Sequence, residues 1–481
     1  MRTNKLPFLF GALVVMAMLS MVPNNSYNDP DTFWHIELGR YMLQHHMVLH
    51  HAIHTYAGSA LPYIPHEFGF QIVIALLYNA FGWPGIFILT SSSLYFLIWG
   101  LYRLAAVSRK ELRYDEPPAL VVAIVIAVAI CVYYYYFTSR PQMISSGLIV
   151  WFFVFLREYR MSGKVKTVAL LILLSVLIAN VHAGVWPVVA VFTGMAALEE
   201  IAEKRLTKKR LAAFVAVSVS GLFNVGGWRS ILYILTVTQH HFNLLINEWK
   251  PIQFTSFDNL PRLIALLFFA AILPYSIHKK LFRTFVMLGV LYLGVSNYKQ
   301  NLFLWLFIPY FAATAVEAVP KLRVMQFRIG QRSFLACAAS GLILLTAYAS
   351  IHPTTINAVK YPVEEMTYVL QQTPAGDRPK VMAHYGSSGY VMYRGGDVLT
   401  DGRQDPFITD ASRGALGWTA FERSMYGFSD RLPDIVRADK PDYLLARSTE
   451  SRTLLDDWAK RYGAPVFKGK YGSVFRISPS Q

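Results

Sequence analysis

Long apolar runs alternate with short polar breaks from Leu6 to about Ile351, after which the chain changes to the shorter alternations of a soluble fold. A helix needs roughly 20 apolar residues to cross the hydrocarbon core of a bilayer. On that scale the runs predict spans over Leu6–Val22, Gly85–Val107, Ala119–Phe137, Met143–Leu156, Val168–Val181, Val185–Leu198, Leu211–Asn224, Leu263–Ile277, Thr284–Ser296, Phe303–Val316 and Phe334–Ser350. His66–Phe81, HEFGFQIVIALLYNAF, is apolar but short and reads as a helix lying in or dipping into the outer interface. The total is about 11 spans, or 12 if that segment crosses.

Beyond Tyr361 the period shortens. PKVMAHY, DVLTDG and PDYLLARS predict strands, SRTLLDDWAKRYG predicts a helix stopping near Gly463, and PVFKGKYGSVFRI predicts a hairpin turning at Lys470 to Gly472. The expected fold class is a polytopic α-helical membrane protein with a small extracytoplasmic α/β C-terminal domain. Residues 1–351 form the transmembrane domain, with a first outer loop at 24–66, and residues 352–481 form the soluble domain.

Composition agrees with that division. Of 481 residues 54% are hydrophobic and only 15% charged, too apolar for a soluble chain of this length. Cys131 and Cys337 both fall in apolar runs, so neither a disulfide framework nor a cysteine metal site is expected. The opening MRTNK and its apolar run lack a small-x-small cleavage pattern and read as a retained first span.

The net charge of +16 matters through its placement. Basic clusters lie between apolar runs: Arg109, Lys110 and Arg113; Arg157, Arg160, Lys164 and Lys166; Lys204 to Arg210; Lys279, Lys280 and Arg283; Lys321 to Arg332. This is the positive-inside pattern of cytoplasmic loops in a plasma-membrane protein, and it implies no nucleic-acid partner. With the N-terminus cytoplasmic and an odd number of spans, the C-terminal domain is extracytoplasmic. The same threading delivers Asp29, Asp31, His35, His66, Glu67, Arg140, Asn180, His182, Asn224, Glu248 and Lys299 to one outer face. Ionisable groups at membrane depth are costly, so their gathering on one face points to a functional site.

Asp29 and Asp31 flank Pro30 in NDPDTFWHIELGRYM, which puts two carboxylates on a restrained backbone. Such a pair holds a divalent cation, Mg or Mn, or divides into a base and a cation ligand. It also suits a helix start, with Asp31 as cap and Phe33, Trp34, Leu38, Tyr41 and Met42 as an interfacial face. His46, His50 and His54 would share a helical face, and a wet loop explains them equally well, so they stay outside the site. Arg140 precedes a proline, His182 lies in LIANVHAG, Glu248 and Trp249 in INEWKPI, and Lys299 in SNYKQN. Arg and Lys there suit a lipid phosphate, while Glu, Asn and Trp suit a sugar.

Taken in order, D-x-D-x-x-W-H at Asp29 to His35, His66-Glu67, Arg140-Pro141, N-x-H-x-G at Asn180 to Gly184, N-x-x-G at Asn224 to Gly227, Glu248-Trp249, and Y-G-S-S-G-Y with D-G-R at Tyr385 to Tyr390 and Asp401 to Arg403 resemble a group of prokaryotic multispanning proteins of the GT-C glycosyltransferase superfamily. The chain departs from that pattern in having Phe33 before Trp34 and no Trp after Glu67. The resemblance implies a glycosyltransferase taking a sugar from a polyprenyl-phosphate donor at the outer face and passing it, with inversion, to a glycan, lipid or protein acceptor. It implies Asp29 and Asp31 as base or metal ligands. His35, His66, Glu67, Arg140, His182, Glu248 and Lys299 are then candidates for binding substrate or lipid phosphate. A transporter or flippase of lipid-linked envelope precursors, or a non-catalytic assembly protein, is the competing class.

Overall fold

The computed structural model describes residues 29–56, 61–115, 117–237, 246–277, 281–318, 355–403, 405–408 and 417–478, with scattered positions between 336 and 351. The predicted span Leu6–Val22 lies outside the described residues, as does most of Phe334–Ser350. The chain divides into two compact units, one of Met1–Asn25, His66–Phe70 and Trp83–His352, the other of Ser26–Pro65, Gln71–Gly82 and Pro353–Gln481. The segment predicted as the first outer loop thus belongs to the same unit as the C-terminal sheet.

Helices α1 (Pro30–His45) and α2 (Phe68–Phe81) come first in the chain. The first unit then runs α3 (Trp83–Glu111), α4 (Ala119–Tyr136), α5 (Pro141–Ser162), α6 (Val165–Val181), α7 (Trp186–Ala202), α8 (Lys208–Ser220), α9 (Trp228–Val237), α10 (Leu260–Ile277), α11 (Leu281–Ser296) and α12 (Leu302–Ala315). All but α9 follow predicted apolar runs. α9 interrupts what reads in sequence as a long loop, because Gly226 and Gly227 punctuate the chain just before it. Among the described residues Trp83–Glu111 and Ala183–Ala202 are by length and composition able to cross a membrane, while Phe68–Phe81, Leu120–Tyr136, Val165–Val181, Phe282–Ser296 and Leu302–Ala318 are apolar and shorter. α3 packs on α5 and α12, and α12 also meets α4, α10 and α11. Phe153 of α5 fills the middle, edge to face with Phe192, Phe307 and Tyr310 at 4.9, 5.0 and 5.3 Å.

A buried ion network fastens these helices. Arg157 donates to Glu111 and, at 2.7 Å, to Glu199; Arg160 pairs with Glu199, with Glu200 at 3.0 Å and with Glu203 at 2.9 Å. Tyr310 donates to the second oxygen of Glu111 at 2.8 Å, and Arg283, itself buried, lies 3.6 Å from it. Arg109 pairs with Glu317 at 2.7 Å. Arg109, Arg157, Arg160 and Arg283, counted in sequence among the cytoplasmic-loop clusters, are each buried against a carboxylate from another element. The sequence pattern hides this, because the glutamates stand far along the chain.

In the second unit, α1 opens at Asp29, whose side chain accepts from the Asp31 N–H at 2.9 Å, and Pro30 occupies its first turn. Asp29 and not Asp31 is the cap. The predicted interfacial face is instead interior: Phe33, Trp34, Leu38 and Met42 are buried. Phe33 meets Tyr361 and Tyr390 edge to face at 4.8 and 5.0 Å. α1 ends where His46 turns left-handed at φ 50°, so His46, His50 and His54 share no helical face.

The helices that follow are α13 (Val363–Gln371), α14 (Tyr385–Tyr393), α15 (Asp405–Ile408), α16 (Trp418–Met425), α17 (Leu432–Asp439) and α18 (Arg452–Tyr462). Strands β1 (Lys380–Met382), β2 (Asp397–Val398), β3 (Tyr443–Arg447), β4 (Phe467–Lys468) and β5 (Gly472–Arg476) form one sheet in the order β2-β1-β3-β5-β4. Its first three strands are parallel and its last three antiparallel, and Thr55 adds a parallel bridge to Val398. The predicted strands, the stop at Gly463 and the hairpin are all present. YGSSGY, one of the ordered motifs, is helix α14, which packs on α1.

Replacing Arg157 by Leu should strand Glu111 and cost about 3–5 kcal/mol. The apparent melting temperature of the purified protein should fall by several degrees, and adding Glu111→Leu should restore much of the loss. An unchanged melting curve for R157L would show that the network does not hold the helices.

Candidate functional site

The candidate residues assemble in two groups, one in each unit. In the second unit Asp29 is 4% exposed and spent on capping α1, whereas Asp31 is only partly buried. Asp31 Oδ1 accepts from Trp34 Nε1 at 3.0 Å, and His35 lies buried with its ring 3.7 Å from that of Trp34. Two glycines make this arrangement possible. A Cβ on Gly389 of α14 would stand 2.5 Å from the Pro30 carbonyl, and one on Gly402 would stand 2.3 Å from Asp31 Oδ1 and 2.5 Å from Trp34 Nε1. The Y-G-S-S-G-Y and D-G-R motifs thus press directly on the D-x-D segment. Asp401 and Arg403 flank Gly402 as a buried pair at 2.5 Å, and Arg403 also donates to the Ile53 carbonyl at 2.8 Å.

The start of α14 is held by two residues that carry no signal in the sequence. His384 Nδ1 accepts from the Gly386 N–H at 3.1 Å and Glu422 Oε1 from the Tyr385 N–H at 3.0 Å. Both side chains are buried, with His384 Nε2 3.6 Å from Glu422 Oε2. Burial pushes Glu422 up to about 8 and His384 down to about 3, so both are held neutral near neutral pH.

In the first unit Arg140, at the N-terminus of α5, donates to Glu248. The Lys299 N–H donates to the Glu248 carbonyl at 2.9 Å, and its ammonium lies 5.0 Å from the Trp249 ring centre. His182 is buried with Nδ1 3.0 Å from Ser145 Oγ, within electrostatic reach of Lys299 and His66. His66 Nε2 stands 3.7 Å from Glu67 Oε2, and the His66 carbonyl accepts from the Ala183 N–H at 2.9 Å. Arg140, Glu248, Lys299, His182, His66 and Glu67 therefore form one connected polar patch. Asn180 and Asn224 are structural: Asn180 ties α6 to the Phe223 carbonyl and the Val225 N–H, and Asn224 closes its own turn onto Gly221 and Gly227.

Sequence reasoning missed Arg262 beside this patch. It is buried at the start of α10, with its guanidinium 4.2 Å from the Tyr135 ring, 5.1 Å from Tyr298 and 6.0 Å from Tyr136, and it donates to Asn259 Oδ1 at 2.7 Å. An arginine one residue after Pro261 carries no pattern that separates it from an interfacial anchor.

For a divalent cation the fit fails among the described residues. Asp29 and Asp31 hold backbone and indole donors, and no group of three or more His, Cys, Asp or Glu side chains is arranged to hold a metal ion.

No family model and no curated protein matches the sequence. Among solved structures the chain is similar to the oligosaccharyltransferase AglB of Archaeoglobus fulgidus in complex with an inhibitory peptide and a dolichol-phosphate, with TM-score 0.55 and 11% identity over 92% of this chain and 69% of that one. It is also similar to ArnT from Cupriavidus metallidurans bound to undecaprenyl phosphate, with TM-score 0.51 and 14% identity over 97% of each chain. At such identities the likeness is one of fold. It is to the fold of two transferases, in agreement with the resemblance of the ordered motifs to GT-C glycosyltransferases.

The neutral pair at α14 has a pH signature. Glu422, raised from an ordinary 4.5, loses its contribution to stability as pH rises towards about 8; His384, lowered from an ordinary 6.5, loses its own as pH falls towards about 3. The two oppose each other between 4.5 and 6.5, and above 6.5 only Glu422 acts. The melting temperature should fall between pH 6.5 and 8 in the wild type, and Glu422→Gln should flatten that slope.

Proposed function

We propose that the protein is a membrane glycosyltransferase that moves a sugar from a polyprenyl-phosphate donor to an acceptor by a single inverting displacement, at the outer face of the plasma membrane. In this reading the N-terminus is cytoplasmic, residues 1–351 carry the spans, and 352–481 form the extracytoplasmic domain. The GT-C fold supports the reaction class. The observation that carries the chemistry is the unequal pair at the head of α1, with Asp29 buried as cap and Asp31 partly exposed beside Trp34.

An acceptor hydroxyl is a poor nucleophile at neutral pH, and a carboxylate within hydrogen-bond reach takes its proton as the new C–O bond forms. Asp31 is proposed for that task, with Asp29 fixing the helix turn that aims it. His35 lies against the buried Trp34, whose indole N–H holds Asp31 Oδ1 in place. As the anomeric C–O bond to the carrier breaks, its electrons leave on the phosphate. Arg140 and Lys299 are proposed to receive that charge, with His182, His66, Glu67 and Glu248 positioning them. Base and leaving group on opposite faces of the sugar give inversion.

Asn caps a helix as well as Asp does, so the two variants separate the roles. Asp29→Asn should keep the fold and most of the transfer from a polyprenyl-phosphate-linked radiolabelled sugar in membranes. Asp31→Asn should lose about 10²–10⁴-fold. Wild-type transfer in both would remove the catalytic reading and favour lipid-precursor transport or assembly.

A further inference from the structure

The parallel half of the C-terminal sheet has a point where its connections part. β1 leads through α14 to β2 on one side, while β3 lies on the other side of β1 and is reached through α15, α16 and α17. In open α/β sheets the ligand crevice lies outside the carboxyl ends of strands that diverge in this way. His384 follows β1 at that end, and Arg447 closes β3. Tyr426, in the turn after α16, bridges them: its ring lies 4.3 Å from the His384 ring, edge to face, and 5.2 Å from the Arg447 guanidinium. Gly427, left-handed at φ 74°, turns the chain so that Phe428 stacks on Tyr426 with ring centres 6.1 Å apart. Among the described residues beyond Pro353 these two are the only exposed aromatic side chains, Tyr426 at 43% and Phe428 at 72%. Aromatic surface left in water beside buried polar groups marks a place where something binds.

We propose that this ledge binds a neutral saccharide, whose ring stacks on Tyr426 and Phe428 while its hydroxyls meet the polar groups at the ends of β1 and β3. The charges here are already matched, since Glu450 accepts from Arg447 Nε at 2.8 Å. The first four N–H groups of α14 are spent as well. Tyr385 gives its own to Glu422 and Gly386 to His384 Nδ1, while those of Ser387 and Ser388 go to the His384 carbonyl at 2.8 and 3.1 Å. That removes the helix-end cradle a nucleotide phosphate would take at such a point. What remains is polar without net charge. Because its Nδ1 accepts, His384 carries its proton on Nε2, which is buried and has no hydrogen-bond partner among the described residues. A hydroxyl seated at the Tyr426 ring would satisfy it, and the Arg447–Glu450 pair supplies further donors and acceptors. Flat apolar rings with a few fixed polar groups suit a ligand that is itself apolar on its faces and hydroxylated at its rim. The inference goes beyond the transferase reading and does not rest on it, since neither Asp31 nor the basic groups of the helical unit take part.

The test is calorimetry on the full chain in phosphatidylcholine nanodiscs, with neutral tetrasaccharides of glucose, mannose, galactose and N-acetylglucosamine as probes and uridine monophosphate as the anionic control. At least one tetrasaccharide should bind the wild type, and more tightly than uridine monophosphate does. Phe428→Ala, which removes an exposed ring and leaves the core intact, should weaken that binding by about tenfold. Tyr426→Ala should weaken it at least as much. Wild-type affinity in F428A, or in Y426A should F428A fail to fold, overturns the proposal. So does the absence of binding by every tetrasaccharide, or a preference for uridine monophosphate. No sugar donor is present and no transfer is read. Failure here therefore leaves the transferase reading standing, and failure of the Asp31 test leaves this site standing.

Discussion

A guanidinium taken out of water has to meet an anion, and that requirement organises the helical unit. Isolated, each buried charge costs several kcal/mol; paired and hydrogen-bonded, the cost is largely offset, with little net gain. What the pairing supplies is uniqueness. Glu111 accepts from Arg157 of α5 and Tyr310 of α12 while Arg283 of α11 stands near, and Arg160 reaches three glutamates at the end of α7. A slip of any of these helices by one turn would leave several charges unmatched at once. The same helix α5 begins beside Arg140 and ends in Arg157 and Arg160, a separation of roughly 25–30 Å at 1.5 Å per residue. The ion network at one end therefore fixes the helix that presents Arg140 and Ser145 at the other.

The second unit is organised by closeness of backbone, with the buried Asp401–Arg403 pair beside it. α1 and α14 meet where Gly389 has no side chain, and Gly402 leaves just the space that Asp31 and Trp34 fill. A carboxylate held by an indole N–H against a glycine has few rotamers left to it, which is what a positioned base requires. His384 and Glu422 serve the same end by satisfying the first N–H groups of α14 without carrying a charge into the core.

Sequence pattern reaches the apolar helices, the five-stranded tail and the order of the short motifs because each rests on neighbours within a few residues. The periods of α3, α5 and α12, the Ser451 and Gly463 limits of α18, and the Lys470 to Gly472 turn are of that kind. The misses all depend on partners distant in the chain. Arg157 looks like a loop charge until Glu111 and Glu199 are brought to it, and Phe33 and Trp34 look interfacial until Tyr361 and Tyr390 cover that face. YGSSGY looks like a turn because its glycines and serines have weak helix propensity; a histidine cap and packing on α1 override that preference. The membership of residues 26–65 in the unit of the C-terminal sheet is of the same kind, since no local pattern announces the Thr55 to Val398 bridge.

The spacing of the acidic pair carries more than its composition. Two residues apart across the first turn of a helix, two side chains point in different directions, so Asp29 and Asp31 cannot share one environment. The outer of them closes the helix, and its oxygen is drawn back onto the Asp31 N–H. The inner one then projects from a turn whose backbone is already committed, with Trp34 one turn further on to receive its Oδ1. A single aspartate could not both cap the helix and hold its carboxylate against the Trp34 indole N–H. The D-x-D spacing separates the two tasks, and Pro30 between them holds φ near the helical value so that the separation survives thermal motion.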